Sequence, residues 1–120
     1  MTELDTIAGN YIAAWNETNA ARREALLEIA FAADIHYHDP LMQGDSRDGI
    51  AALIDGVQQR FPGFRFALKG KPDGYADKIR FSWELGPQGA EAPIGGTDIC
   101  VIEGGRLESV TGFLDKVPAA

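Results

Sequence analysis

Ile35-His36-Tyr37-His38-Asp39-Pro40 is the stretch on which the fold turns. It alternates, so a strand here puts Ile35, Tyr37 and Asp39 on one face and His36 and His38 on the other, and Pro40 stops it. The strand therefore aims a carboxylate toward whatever covers its apolar face. Burying a lone carboxylate is costly, so Asp39 must be paired, solvated in a cavity, or put to use.

The segments on either side read as helices. Leu4, Ile7, Ala8, Tyr11, Ile12 and Trp15 recur at three- and four-residue steps, with Thr2 or Asp5 as the cap. Asn19 caps a second helix that carries Leu26, Leu27, Ala30 and Phe31 and ends near Ala33-Asp34. Beyond Pro40, residues Gln43 to Arg47 form a polar loop. Asp48 then caps a third helix with Ile50, Leu53, Ile54, Val57 and Phe61 at core spacing, ended by Pro62-Gly63.

Everything after Gly63 alternates with a period of two. Phe64, Phe66 and Leu68 lead to a turn at Pro72-Asp73-Gly74, and Ile79, Phe81, Trp83 and Leu85 form the next strand. Ile94 to Ile102 is apolar on both faces, which fits a central strand, and Gly95-Gly96 reads as a bulge. Gly104-Gly105 makes a hairpin into a last strand, Arg106 to Leu114, and the tail from Val117 is expected to fray. Helices followed by strands predict a cone-shaped α+β fold, with three N-terminal helices packed on a strongly curved, mainly antiparallel sheet. One domain spans residues 1–120, with a cavity expected between the first helix and the sheet.

A formal charge of -7 with no basic stripe argues against nucleic acid as a partner. One cysteine, Cys100, rules out an internal disulfide and fits a reducing compartment. No apolar run approaches the ~20 residues of a membrane span and no leader pattern opens the sequence, so the expected location is cytoplasmic.

Three polar residues fall where they would face the cavity: Tyr11, Asp39 and Asp98. Each has a structural alternative. Asp39 could cap the loop at Pro40, Asp98 could pair with Arg80 or Lys78, and Tyr11 could be a core aromatic with a satisfied hydroxyl. His36 and His38 share a face opposite Asp39 with no third ligand at helpful spacing, so a sheet surface or subunit contact suits them better than a metal. Cys100, on the face of Asp98, reads as a small core residue lining the cavity. Neither a phosphate-cradling glycine loop nor a dinucleotide fingerprint is present.

Taken together, the element order, Tyr11-Ile12, Asp39-Pro40, Gly44 to Leu53, and Gly96-Thr97-Asp98 followed by Gly105-Arg106-Leu107 resemble the nuclear-transport-factor-2-like (cystatin-like) superfamily. Within it the chain looks most like the SnoaL-like polyketide cyclase and ketosteroid isomerase branch. The resemblance implies a protein that binds a small apolar carbonyl-bearing or polycyclic molecule and moves a proton next to the carbonyl. It implies Asp39 as the base, with Tyr11 and Asp98 as donors to the oxyanion. Trp15, Phe61, Phe81, Trp83, Cys100 and Phe113 are the candidate substrate-binding walls, and the chemistry needs neither cofactor nor metal. A homodimer is expected, and the alternative function is a non-catalytic ligand-binding or dimerisation module. The chain departs from ketosteroid isomerases in lacking an evident supporting tyrosine pair, since Tyr37 and Tyr75 read as lying elsewhere. It departs from the related epoxide hydrolases because Arg80 is followed by Phe81-Ser82 where they have Arg-x-Asp.

Overall fold

Three helices lie against one face of a six-stranded mixed sheet in a computed structural model that describes residues 2–118. The elements run α1 (Glu3–Asn16), α2 (Ala20–Ala30), β1 (Phe31–His38), β2 (Gln43–Asp45), α3 (Ser46–Arg60), β3 (Phe64–Tyr75), β4 (Lys78–Pro87), β5 (Ile94–Glu103) and β6 (Arg106–Lys116). Strand order is β2-β1-β6-β5-β4-β3, and the sheet does not close. The α+β class holds. Two details differ from expectation: α3 follows the first two strands, and β1 runs parallel to β6 while the other pairings are antiparallel.

The helix starts follow from their caps. Thr2 and Asp5 form a reciprocal capping box on α1, and the Asn19 side chain accepts from the Arg22 N–H at 3.0 Å to open α2. α3 begins earlier than Asp48, because residues 43–45 form β2 against β1, with His36 opposite Asp45, and the chain runs straight into the helix. The Asp45 carboxylate meets His36 Nδ1 at 2.7 Å and makes no cap bond. α2 stops at Ala30 because Phe31 turns extended and enters the sheet fully buried.

The Pro72-Asp73-Gly74 turn is also corrected. β3 continues through it with an irregular register between Lys69 and Asp73, and the chain reverses at Ala76-Asp77. As an edge strand, β3 tolerates a proline with no N–H to give. The Gly104-Gly105 hairpin and the register shift at Gly95/Gly96 stand as expected.

Helix α1 is tied to the sheet at its end. Asn16 donates Nδ2–H to the Phe66 carbonyl at 2.9 Å and accepts the Phe66 N–H at 2.8 Å, filling the outer side of that edge residue. Gln58 Nε2 donates to the carbonyls of Trp15 and Glu17, and the buried Arg23 donates to Glu17 and to Gln58 Oε1. These bonds satisfy the terminal carbonyls that a helix leaves open, and they fix the turn that carries Trp15.

Candidate active site

The inner face of the sheet is built in rows. Phe81 on β4 stands across from Asp98 on β5, and Asp98 across from Gly112 on β6. On the far side, β1 runs beside β6 with Tyr37 at Val110 and His38 at Thr111, which brings Asp39 up to Gly112. A Cβ on Gly112 would lie 2.8 Å from Asp98 Oδ1 and 3.1 Å from Asp39 Cβ. The bare backbone of Gly112 therefore lets two carboxyl side chains approach each other above it.

Each acid has a tyrosine. Tyr11, from α1, donates its hydroxyl to Asp98 Oδ2 at 2.7 Å, and Tyr37 donates to Asp39 Oδ2 at 2.6 Å. Tyr37 thus belongs to the cluster, correcting the expectation that it lies elsewhere. The signal was present in the sequence: two residues apart on a strand, Tyr37 and Asp39 share a face. Gly112 is the other participant that the sequence did not mark.

The surroundings of the two acids differ. Asp98 is 1 % exposed, and its Oδ1 has no hydrogen-bond partner. Burial pushes its pKa up to about 6, opposed by the Tyr11 hydrogen bond and by the nearby Trp83 indole, with Asp39 adding upward pressure. The expected alternative partners are engaged elsewhere, Arg80 with Asp73 and Lys78 with Asp77. Asp39 sits at the rim, and its Oδ1 accepts the Leu41 and Met42 N–H groups at 2.8 and 2.9 Å. That is the turn-capping geometry. Burial also raises the Tyr11 and Tyr37 hydroxyls, followed in each case by the charge of Asp98, so both remain protonated donors.

Aromatic rings pack the space above the acids. Tyr11 is edge-on to Phe81 at 4.9 Å and to Phe31 at 5.8 Å, and Trp15 lies 6.0 Å from Tyr11 and 5.7 Å from Tyr37. Phe66 is edge-on to both Trp15 and Trp83. Trp83 lies over Gly96, where a Cβ would collide with its Cζ2. Of the expected walls, Trp15, Phe81, Trp83 and Cys100 are buried in this region. Phe113 is not: it is 52 % exposed on the opposite face, because β6 alternation turns Val110 and Gly112 inward. Phe61 lines a surface hollow of about 180 Å³ together with Trp15, Asn16, Gln58, Phe64 and Phe66. Neither this hollow nor those of about 440 and 350 Å³ elsewhere has Tyr11, Asp39 or Asp98 on its wall. Trp15 is the link, since it borders the hollow and touches the tyrosines below. His36 and His38 are exposed, and among the described residues no three His, Cys, Asp or Glu side chains gather as metal ligands.

Comparison with known proteins accords with this arrangement. The sequence pattern of the SnoaL-like domain family matches residues 8–110. A proposed isomerase of the SnoaL-like family from Agrobacterium tumefaciens is 47% identical, with a TM-score of 0.90 over 96% of this chain and 99% of that one. A proposed ketosteroid isomerase from Kribbella flavida shares the fold at 16% identity and a TM-score of 0.70, over 98% of this chain and 82% of that one. A proposed polyketide cyclase from Sinorhizobium meliloti shares it at 17% and 0.72, over 93% and 99%. No curated protein matches. The chain belongs to the SnoaL-like family.

Proposed function

We propose that this SnoaL-like protein binds a small carbonyl-bearing apolar molecule and acts as an isomerase or cyclase that moves a proton on the carbon beside the carbonyl. The observation that carries the reading is Asp98: a buried carboxyl brought to about 6, bonded to Tyr11 through one oxygen and with the other free. A general base works best with a pKa near the operating pH, and burial supplies that here. In the proposed step the free oxygen of ionised Asp98 takes a proton from the carbon. The C–H electron pair moves into an enolate, and Asp98 returns the proton to another carbon. Tyr11 holds the carboxyl in place.

The geometry redistributes the expected roles. Asp39, expected as the base, has its carboxylate committed to Tyr37 and two backbone N–H groups, so it serves to hold the turn beside Asp98. Access runs through the hollow and requires Trp15 or Phe66 to swing aside.

A second reading, a non-catalytic binding module, is favoured by one observation: the hollows stop short of the acids. One experiment separates the two. Exchange of the α-hydrogens of 2-tetralone in heavy water, followed by NMR, should exceed the buffer rate with the native protein. It should fall about 10²–10⁴-fold with Asp98→Asn. Exchange at the buffer rate, or unaffected by the substitution, leaves the binding module.

A further inference from the structure

We infer that the Trp83 indole N–H is the hydrogen-bond donor to the oxygen of the bound molecule, and that this molecule is compact, with one or two rings; the inference rests on the reading of Asp98 given above. Among the described residues, three buried side-chain polar atoms lack a partner: Trp15 Nε1, Trp83 Nε1 and Asp98 Oδ1. Leaving such an atom unpaired is costly, so a core that needed only apolar bulk would be better served by phenylalanine.

Two of the three are neighbours. Trp83 stands across from Gly96, two residues from Asp98 on the same face of β5. The ring position is imposed by the backbone, since a Cβ on Gly96 would also come within 2.7 Å of the Phe113 carbonyl oxygen and of Trp83 Cε2, the carbon bonded to Nε1. The indole lies close enough to Asp98 to favour its charge, yet neither Nε1 nor Oδ1 reaches hydrogen-bonding geometry. A donor and an acceptor, both buried and both without a partner, thus stand on neighbouring rows of the inner face. A carbonyl oxygen that accepts from Trp83 leaves the Oδ1 of ionised Asp98 to take the proton from the carbon beside it. A phenol or enol oxygen accepts from Trp83 and donates to ionised Asp98.

The size limit comes from the approach. Trp83 is edge-on to Phe66 at 5.3 Å, and Phe66 lines the hollow of about 180 Å³. Sites for drug-sized ligands run to about 300–1,000 Å³, so this smaller approach suits one or two fused rings better than a four-ring body.

The chain has two tryptophans, so a ¹⁵N spectrum carries two indole N–H signals, assigned with Trp83→Phe. The probes are 2-naphthol and naphthalene, which differ by the oxygen alone. Naphthol should move the Trp83 signal downfield and bind Trp83→Phe about tenfold more weakly, whereas naphthalene binds both proteins equally. Three results overturn the inference: no naphthol binding, native affinity in Trp83→Phe, or a Trp83 signal that shifts in Asp98→Asn but not with naphthol, which assigns the N–H to Asp98 itself. Naphthol binding that moves Trp83, combined with tetralone exchange untouched by Asp98→Asn, sinks the proton-transfer reading and leaves this one standing.

Discussion

Two tyrosine–aspartate pairs flank Gly112, and chemically they are the same pair. Tyr11–Asp98 lies inside the molecule, with one carboxyl oxygen bonded and the other without a partner. Tyr37–Asp39 lies at the rim, with both carboxyl oxygens bonded and two of the donors drawn from the backbone. The difference lies in solvation and in spare valence. Asp39 holds a turn through the hydrogen bonds it accepts. Asp98 costs stability as an anion, because burial favours its neutral form. A group held at such a cost is the natural place to look for function.

Four substitutions test that contrast. The largest expected separation is in turnover: Asp98→Asn loses about 10²–10⁴ in tetralone exchange, while Asp39→Asn stays within about tenfold of native. If Asp39→Asn proved the more damaging, the roles would have to be exchanged. Next comes stability. Asp39→Ala removes the acceptor for two backbone N–H groups and leaves the buried Tyr37 hydroxyl unpaired, so urea unfolding should show a loss of about 3 kcal/mol.

The third concerns pH. Folded Asp98 keeps its proton up to about pH 6, whereas the unfolded chain releases it near the ordinary value of 3.8. Between those values the folded state binds more protons, so the Asp98 contribution to stability falls as pH rises, and it is flat below and above that window. The fall is on the order of 2–3 kcal/mol. Subtracting the Asp98→Asn profile from the native one isolates it, and a difference that is flat from pH 4 to 7 would mean that Asp98 is not desolvated. The smallest effect is in Tyr11→Phe. The Tyr11 bond favours the ionised form of Asp98, so its loss should lift the carboxyl midpoint above 6, read from the ¹³C carboxyl shift.

Much of this architecture was legible because the signals were local. Thr2 and Asn19 mark helix starts through their own side chains, and the alternation of Ile79 to Leu85 needs no distant partner to read as a strand. What failed were features decided by distant partners. β2 is three polar residues that become a strand through β1, and Phe31 continues a helical spacing yet is drawn into the sheet by burial. Pro72-Asp73-Gly74 has turn chemistry on an edge strand that absorbs it, while the actual reversal uses Ala76 at a φ of 52°, which no residue type announces. The site divides the same way. Tyr11, Asp39 and Asp98 were each conspicuous for their residue type and position. Gly112 acquires meaning through the register that sets it between Asp98 and Asp39, and Tyr37 acquires it when β1 docks alongside β6.

The clasp of Asn16 on Phe66 has a consequence at the other side of the molecule. β3 ends the sheet, and an uncovered terminal strand offers its amides as a template for foreign chains. At Phe66 both the N–H and the carbonyl are already occupied by a side-chain amide, so an incoming strand meets a broken rung there. The residue that anchors the first helix also guards the border of the sheet against recruitment into aggregates.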